Sequence, residues 1–109
     1  MFDGIRTVAM KAYIHPDLST VPLEVVMHAL SDPCRTAIVR ALLTRSELAC
    51  NELPVEVAKA TLSHHMEVLR ASGLIETHVE GAKCLSSVRR AELNRRFPGL
   101  LALVERKGG

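Results

Sequence analysis

Residues 59–71 have the spacing of a helix with two contrasting faces. At about 100° per residue, the apolar side chains fall on one face, whereas Ser63 and His64 fall on the other among alanines. A helix that lies deep in the major groove of DNA needs such a small, polar face, because its backbone must approach the base edges closely. The sequence therefore predicts contacts to bases or phosphates from Lys59, Thr61, Ser63 and His64.

Some residues of this helix have alternative roles. Thr61 could cap the helix instead of contacting a phosphate, and the whole polar face could simply be solvated. His65 lies at the edge of the apolar face. We include it among the predicted DNA-binding residues, although a histidine in such a position more often packs internally or forms an internal hydrogen bond.

A second set of basic residues flanks a predicted β-hairpin over residues 74–88, which turns at a glycine. Lys83 lies beside the turn, and Arg89 and Arg90 follow the second strand. We predict that these three residues contact phosphates along the minor groove, which would make binding salt-dependent. The alternative for Arg89 and Arg90 is an ion pair with Glu92 or exposure to solvent.

The three cysteines are widely spaced and odd in number, so the sequence does not indicate a disulfide framework. Cys34 falls in the first turn of a predicted helix, where the helix dipole would favour a thiolate. Cys34 and Cys50 are therefore candidate redox-sensing residues, with the alternative that both are small buried apolar residues. Cys84, in the predicted hairpin, is expected to contribute packing.

The sequence offers no pattern for a metal site or for catalysis. A zinc site built from Cys50, His64, His65 or His78 lacks favourable ligand spacing, so we predict neither a bound metal nor another cofactor. No glycine-rich loop or carboxylate pair accompanies a Cys/His nucleophile. We therefore predict no catalytic residues and no enzymatic activity.

A series of helices followed by the hairpin would position these residues. Ser31 or Asp32 is expected to cap the second helix, because Pro33 fits its first turn. The expected helices cover residues 23–30, 33–44, 46–53, 59–72, 91–96 and 100–104. The third and fourth of them would make a helix-turn-helix and the hairpin a wing. The predicted fold class is mainly α with a small β-hairpin (α+β), a winged helix-turn-helix that forms a dimer.

Length and composition fit this expectation. The chain has 109 residues, of which 48% are hydrophobic and only 3% aromatic, so small aliphatic side chains would fill a helical core. The net charge is +2. Residues 1–57 carry five basic and seven acidic side chains, whereas residues 58–109 carry nine and five. The basic half therefore contains the candidate groove helix, which favours a polyanionic partner.

We divide the chain into an N-terminal arm, residues 1–18, and a winged helix-turn-helix DNA-binding and dimerisation domain, residues 19–109. Met10 is an alternative start. No apolar run reaches the roughly 18 residues of a membrane span, and the N-terminus lacks the apolar stretch of a signal peptide. We therefore expect a cytoplasmic protein with no membrane partner.

Three segments resemble the ArsR/SmtB family of small winged-helix repressors. They are ALSDPCRTAIVRALL at 29–43, TLSHHMEVLRASGLIE at 61–76 and HVEGAKCLSSVRR at 78–90. The resemblance implies a homodimer that binds an imperfect inverted repeat in double-stranded DNA. It also implies an inducing signal that releases the DNA.

The chain departs from the family pattern in two respects. Many members carry a Cys-x-Cys metal site in an ELCVCDL-like run, whereas ELACNEL at 47–53 leaves only Cys50 at the sensing helix that the resemblance implies. Another metal site of the family uses Asp and His on the final helix, and both residue types are missing after Ala91. The segment PVEVAKA at 54–60 is also shorter than its usual counterpart.

We therefore predict a DNA-binding transcriptional regulator, a homodimeric repressor released by a thiol redox event or by a small ligand that the sequence does not identify. The final apolar residues Leu100, Leu101, Leu103 and Val104 are expected to pair with a second subunit. The alternatives are a metal-responsive repressor with a non-standard site, and a winged-helix protein-interaction module without DNA binding.

Overall fold

The computed structural model describes residues 13–106, in which helices pack around a small antiparallel sheet. The helices are α1 (Leu23–Ala29), α2 (Pro33–Thr44), α3 (Lys59–Ala71), α4 (Arg90–Arg96) and α5 (Leu100–Glu105), and the strands are β1 (Leu48–Ala49), β2 (Ile75–Glu80) and β3 (Lys83–Val88). Within these residues, no helix is long and apolar enough to cross a lipid bilayer. The predicted fold class, a mainly α winged helix-turn-helix with a small sheet, is confirmed.

Asp32 starts α2 as the sequence predicts. Its carboxylate accepts hydrogen bonds from the backbone N–H groups of Cys34 (2.8 Å) and Arg35 (3.1 Å). Pro33 occupies the first turn, where its missing N–H removes no helical hydrogen bond. The hydrogen bond from Arg35, followed by that from Cys34, lowers the pKa of Asp32, so the cap stays ionised at neutral pH.

The predicted helix over residues 46–53 is wrong. Leu48 and Ala49 form β1 instead, and Cys50–Glu52 make a single 3-10 turn. So short a helix is marginal by itself, and Pro54 prevents its extension, whereas pairing with β3 satisfies backbone groups and buries Leu48 and Ala49. An irregular segment, residues 53–58, then leads directly into α3.

The predicted hairpin is confirmed, and it forms part of a larger sheet. The strand order is β1-β3-β2, so the wing is joined to the rest of the domain through β1. Glu80 lies opposite Lys83 across the tight turn, and Thr77 lies opposite Ser86. The hydroxyl groups of Thr77 and Ser86 are 2.8 Å apart and buried, which fixes the register of the hairpin near its base.

The core lies between α2, α3, α4 and the base of the sheet. Its most buried side chains include Ile38, Leu42, Leu69, Leu74, Ile75 and Leu93. Truncation of one such side chain to alanine typically lowers the free energy of unfolding by about 2–5 kcal/mol. These contacts therefore hold the exposed face of α3 in a defined orientation.

Gly73 ends α3 and opens the path into β2. Its φ of +85° is a left-handed conformation, and a Cβ atom at this position would lie 2.5 Å from Cδ2 of Leu18. A side chain would therefore meet both backbone strain and a steric clash. The predicted glycine stop is confirmed.

The predicted N-terminal arm lies only partly within the described residues, because residues 1–12, including Met10, fall outside them. Residues 13–18 pack against the domain. Nε2 of His15 accepts a hydrogen bond from the backbone N–H of Thr77 (3.0 Å), on the edge strand β2. Leu18 is buried in the core. The division at residue 18 stays a prediction.

The prediction that all four apolar residues of α5 await a second subunit is wrong in part. Leu101 and Val104 are buried within the same chain, and Nε of Arg40 on α2 donates a hydrogen bond to the carbonyl of Val104 (2.7 Å). Leu100 is half-buried against the core, whereas Leu103 is 65% exposed. Close packing of α5 on α2 thus supplies partners that the sequence pattern alone did not reveal.

Candidate nucleic-acid interface

The polar face of α3 is exposed, as the sequence predicts. Lys59, Thr61, Ser63 and His64 all lie on the surface, whereas Met66 and Leu69 are buried on the opposite side. The N-cap position is Ala58, which cannot cap through a side chain, so the alternative role of Thr61 as the cap is wrong. The first backbone N–H groups of α3 therefore have no side-chain cap, and they can donate to an anion beside Lys59.

His65 is buried and belongs to the interior of the protein, which corrects its prediction as a DNA-binding residue. Its Nδ1 lies 3.0 Å from Nη1 of Arg35, and only 8% of the residue is exposed. A guanidinium group can only donate, so Nδ1 of His65 accepts this hydrogen bond and Nε2 carries the ring proton. His65 thus connects the middle of α3 to the first turn of α2.

Arg35 is a buried residue that the sequence reasoning missed. Its Nε donates to the carbonyl of Ala29 (2.7 Å) and its Nη2 to the carbonyl of His28 (3.4 Å). Arg35 precedes Ile38 by three positions, so the helical spacing already placed it on the apolar face of α2. A charged residue at that position is a sign of a buried hydrogen-bonded group.

Asp32, Cys34 and His65 bring their potential ligand atoms within 4.8 Å of one another. The hydrogen bonding around them opposes a metal ion. Nε2 of His65 faces Asp32 at 3.9 Å but carries the proton, because Arg35 occupies the lone pair of Nδ1. A cation would also meet the guanidinium of Arg35, so this cluster does not support the metal-responsive alternative.

The expectation of a Cys34 thiolate is not supported. Burial raises the pKa of the Cys34 thiol, and the neighbouring Asp32 carboxylate raises it further. The helix N-terminus favours an anion at this place, but the ionised cap already supplies one. Cys34 is therefore a protonated thiol at neutral pH.

The three predicted basic residues of the wing differ in exposure. Lys83 is exposed beside the turn. Arg89 is turned inward, 8% exposed, and its Nε donates to Glu92 (2.9 Å) while its Nη1 donates to the carbonyl of Pro16 (2.9 Å). The alternative of an Arg89–Glu92 ion pair is confirmed. The burial of Arg89 corrects its prediction as a DNA-binding residue. Arg90 donates to the carbonyl of Leu43 but is exposed, so its contact with DNA stays a prediction.

A cavity of about 620 Å³ lies between the irregular segment, residues 53–58, and the side of α3 that does not face Arg35. Its lining residues are Tyr13, Cys50, Asn51, Leu53, Val55, Val57, Lys59, Leu62, Ser63, Met66, Glu67 and Arg70. The guanidinium of Arg70 lies 4.4 Å above the ring of Tyr13, whose hydroxyl oxygen is 3.3 Å from Sγ of Cys84. This side of α3 is thus less closely packed than the side that faces Arg35.

Comparisons with known proteins agree with this geometry. A family model described as a helix-turn-helix domain matches residues 30–78. No curated protein sequence matches the chain. Among solved structures, HlyU from Vibrio cholerae N16961 is 27% identical with a TM-score of 0.65, covering 77% of this chain and 88% of that chain.

Two further structures are similar over most of their length. An ArsR family transcriptional regulator is 26% identical with a TM-score of 0.60, covering 83% of this chain and 91% of that chain. The transcriptional repressor BigR from Xylella fastidiosa is 25% identical with a TM-score of 0.59, covering 74% and 84%. The helix-turn-helix match, the fold and these similarities support the resemblance of the chain to ArsR/SmtB-like winged helix transcriptional regulators.

Proposed function

We propose that the chain is a homodimeric repressor that inserts α3 of each subunit into the major groove of an inverted-repeat operator. The observation that carries this proposal is the exposed face of α3. Ser63 and His64 are hydrogen-bonding side chains on the surface. His64 lies on the side of α3 away from buried Met66 and Leu69, and Ser63 lies beside it at the edge of the cavity. Small neighbouring alanines allow the backbone of such a helix to approach base edges.

Two exposed basic residues fit phosphate contacts on both sides of the groove. Lys59 is the first residue of α3, next to N–H groups without a side-chain cap. Lys83 is at the tip of the wing. A phosphate at the start of α3 and another beside the wing would fix the register of α3 on the duplex without reading its sequence.

Exposed apolar side chains support a dimer. Leu23 and Met27 on α1 are 47% and 57% exposed, and Leu103 on α5 is 65% exposed. Because a second copy would remove these surfaces from water, association through α1 and α5 is favourable. In a twofold dimer the two α3 helices would then read half-sites about 34 Å apart, one turn of DNA.

Repression follows from occupancy, because a dimer seated on a promoter blocks polymerase. One similar structure, BigR, is described as a transcriptional repressor. A signal that changes the spacing of the two α3 helices would release the DNA, because both helices must fit their half-sites together.

The test is fluorescence anisotropy of the reduced protein with labelled fragments from upstream of its own gene. We expect specific, salt-dependent binding, and Ser63→Glu should weaken it by about 10- to 100-fold, because a carboxylate would face bases and phosphates. Lys83→Ala should lower the slope of log K against log salt concentration by about one.

Arg95→Ala is the matched control, since it removes one exposed positive charge from α4, away from α3 and the wing. It should leave the slope close to that of the wild type. Failure of the folded, reduced protein to prefer any fragment over random DNA would reject the operator proposal and favour the protein-interaction module.

A further inference from the structure

Cys50 and Cys84 are brought together by the register of the sheet. Leu48 lies opposite Ser86 and Ala49 lies opposite Leu85 in the antiparallel pair of β1 and β3. Continued by one residue beyond this last ladder pair, the register would bring Cys50 opposite Cys84, and the two thiols are close enough to influence each other electrostatically. The 3-10 turn that begins at Cys50 packs against β3, so the two chain segments stay adjacent beyond the last ladder pair.

The spacing of opposite residues in such a pair suits a disulfide bond. Opposite residues of an antiparallel pair generally have Cα atoms about 4.5–5.5 Å apart, within the range of about 4.4–6.8 Å seen across disulfides. Cys34 is at the start of α2, beside Asp32 and His65, whereas Cys50 follows the other end of that helix. Of the three cysteines, Cys50 and Cys84 are therefore the two that adjoin the β1–β3 pair.

We propose that Cys50 and Cys84 are an oxidisable dithiol site, which a hydroperoxide converts into an intramolecular disulfide. Cys50 loses its proton and the thiolate attacks a peroxide oxygen, the O–O bond breaks, and Cys50 becomes a sulfenic acid. The leaving hydroxide takes up the proton that Cys50 lost and becomes one water. The Cys84 sulfur then attacks the Cys50 sulfur, the S–O bond breaks, and hydroxide leaves with the Cys84 proton as a second water. Two thiols lose two electrons in total, and one hydrogen peroxide gains them.

The surroundings of the two sulfur atoms fit these roles. Cys50 is exposed and can meet a peroxide, whereas Cys84 is half-buried with the Tyr13 hydroxyl at 3.3 Å. Although Cys50 is exposed, partial desolvation by the surrounding chain raises the pKa of its thiol, and the neighbouring Cys84 raises it further. Oxidation should therefore be slow at neutral pH and become faster as the pH rises, because the thiolate is the reacting form.

Bond formation would alter the less closely packed side of α3. Cys50 is at the wall of the cavity and begins the path through residues 53–58 into Lys59. A disulfide would pull the segment that starts at Cys50 toward β3 and break the contact between Cys84 and the Tyr13 hydroxyl. The ring of Tyr13 in turn contacts the guanidinium of Arg70 on α3. This consequence rests on the proposed function, and we expect the oxidised form to bind the operator about tenfold more weakly.

Peptide mapping tests the bond independently of DNA. Trypsin separates the three cysteines into peptides 12–35, 46–59 and 84–89. After hydrogen peroxide treatment and non-reducing digestion, we expect peptides 46–59 and 84–89 to be joined, with two hydrogen atoms fewer than their sum. Linkage through peptide 12–35, covalent dimers, or over-oxidised cysteines without a link would each overturn the proposal.

Operator binding before and after oxidation tests the regulatory consequence. Cys34→Ser should respond to peroxide as the wild type does, whereas Cys50→Ser and Cys84→Ser should keep the affinity of the reduced protein. An unchanged affinity in fully linked wild-type protein would reject the regulatory role. If the reduced protein does not bind DNA, the proposed repressor function fails, while the peptide map still decides whether the dithiol site exists.

Discussion

The two sides of α3 differ in how they are held. On one side, His65 meets Arg35 of α2 in a buried hydrogen-bonded group, and Arg35 is also bound to the carbonyl of Ala29. On the other side, Arg70 rests on Tyr13 at the edge of a cavity bordered by an irregular segment. We infer that the first side fixes the orientation of α3, and that the second side is where its orientation can be adjusted.

The largest expected loss of stability comes from removing the Arg35 side chain, which holds the fixed side of α3. Arg35→Ala would leave the carbonyl of Ala29 and Nδ1 of His65 without their donor in the protein interior. We expect the free energy of unfolding to fall by about 2–4 kcal/mol, because buried polar groups without partners are costly. Urea unfolding followed by circular dichroism measures this change.

A smaller loss of stability is expected when Arg70, on the adjustable side of α3, is replaced. Arg70→Ala removes a cation–π contact at the surface of the cavity and a long 3.5 Å hydrogen bond to Thr77. The loss should be below about 1 kcal/mol in the same unfolding experiment. A larger loss from Arg70→Ala than from Arg35→Ala would reverse the comparison and show that the cavity side is the rigid one.

The smallest expected change in stability depends on pH and comes from His15, which is hydrogen-bonded to the edge strand β2. Burial lowers the pKa of His15, and the charges of Arg89 and Arg70 lower it further. The unfolded chain therefore binds a proton more readily than the folded protein, so His15 stabilises the fold above pH of about 6.5 and this contribution is lost as the pH falls through its lowered pKa.

His15→Gln is the variant that isolates this contribution, because glutamine can still accept from the N–H of Thr77 but does not titrate. Its melting temperature should fall less than that of the wild type between pH 7 and pH 5. Parallel pH profiles for the two proteins would show that His15 does not contribute to the pH dependence of stability.

Most of the fold could be predicted from local signals. The Asp32–Pro33 start of α2, the glycine stop at Gly73 and the hairpin follow from residue chemistry that acts within a few positions. The residues before Pro54 could not be assigned correctly, because β1 exists only through its pairing with β3, which is distant in sequence. A helical pattern in so short a segment is readily overridden by such a partner.

The candidate site divides in the same way. The helical period correctly places Ser63 and His64 on the surface, because burial on a helix follows the apolar stripe. The helical period does not reveal that the Arg89 side chain points inward, because this orientation depends on hydrogen bonds to the carbonyl of Pro16 and the carboxylate of Glu92. The proposal that Cys50 reacts with Cys84 also required the sheet register, since the two are far apart in the chain.

The neighbouring histidines of α3 allow the most direct test of the central claim, that one face of this helix binds DNA while the opposite face anchors it. The measurement is operator affinity by anisotropy together with thermal unfolding, for His64→Ala and His65→Ala side by side. We predict that His64→Ala loses about 5- to 100-fold in affinity with an unchanged melting temperature. His65→Ala should lose about 1–3 kcal/mol of stability, because Nη1 of Arg35 is left without an acceptor. Full operator affinity in His64→Ala, or a loss of affinity in His65→Ala without any loss of stability, would contradict the account.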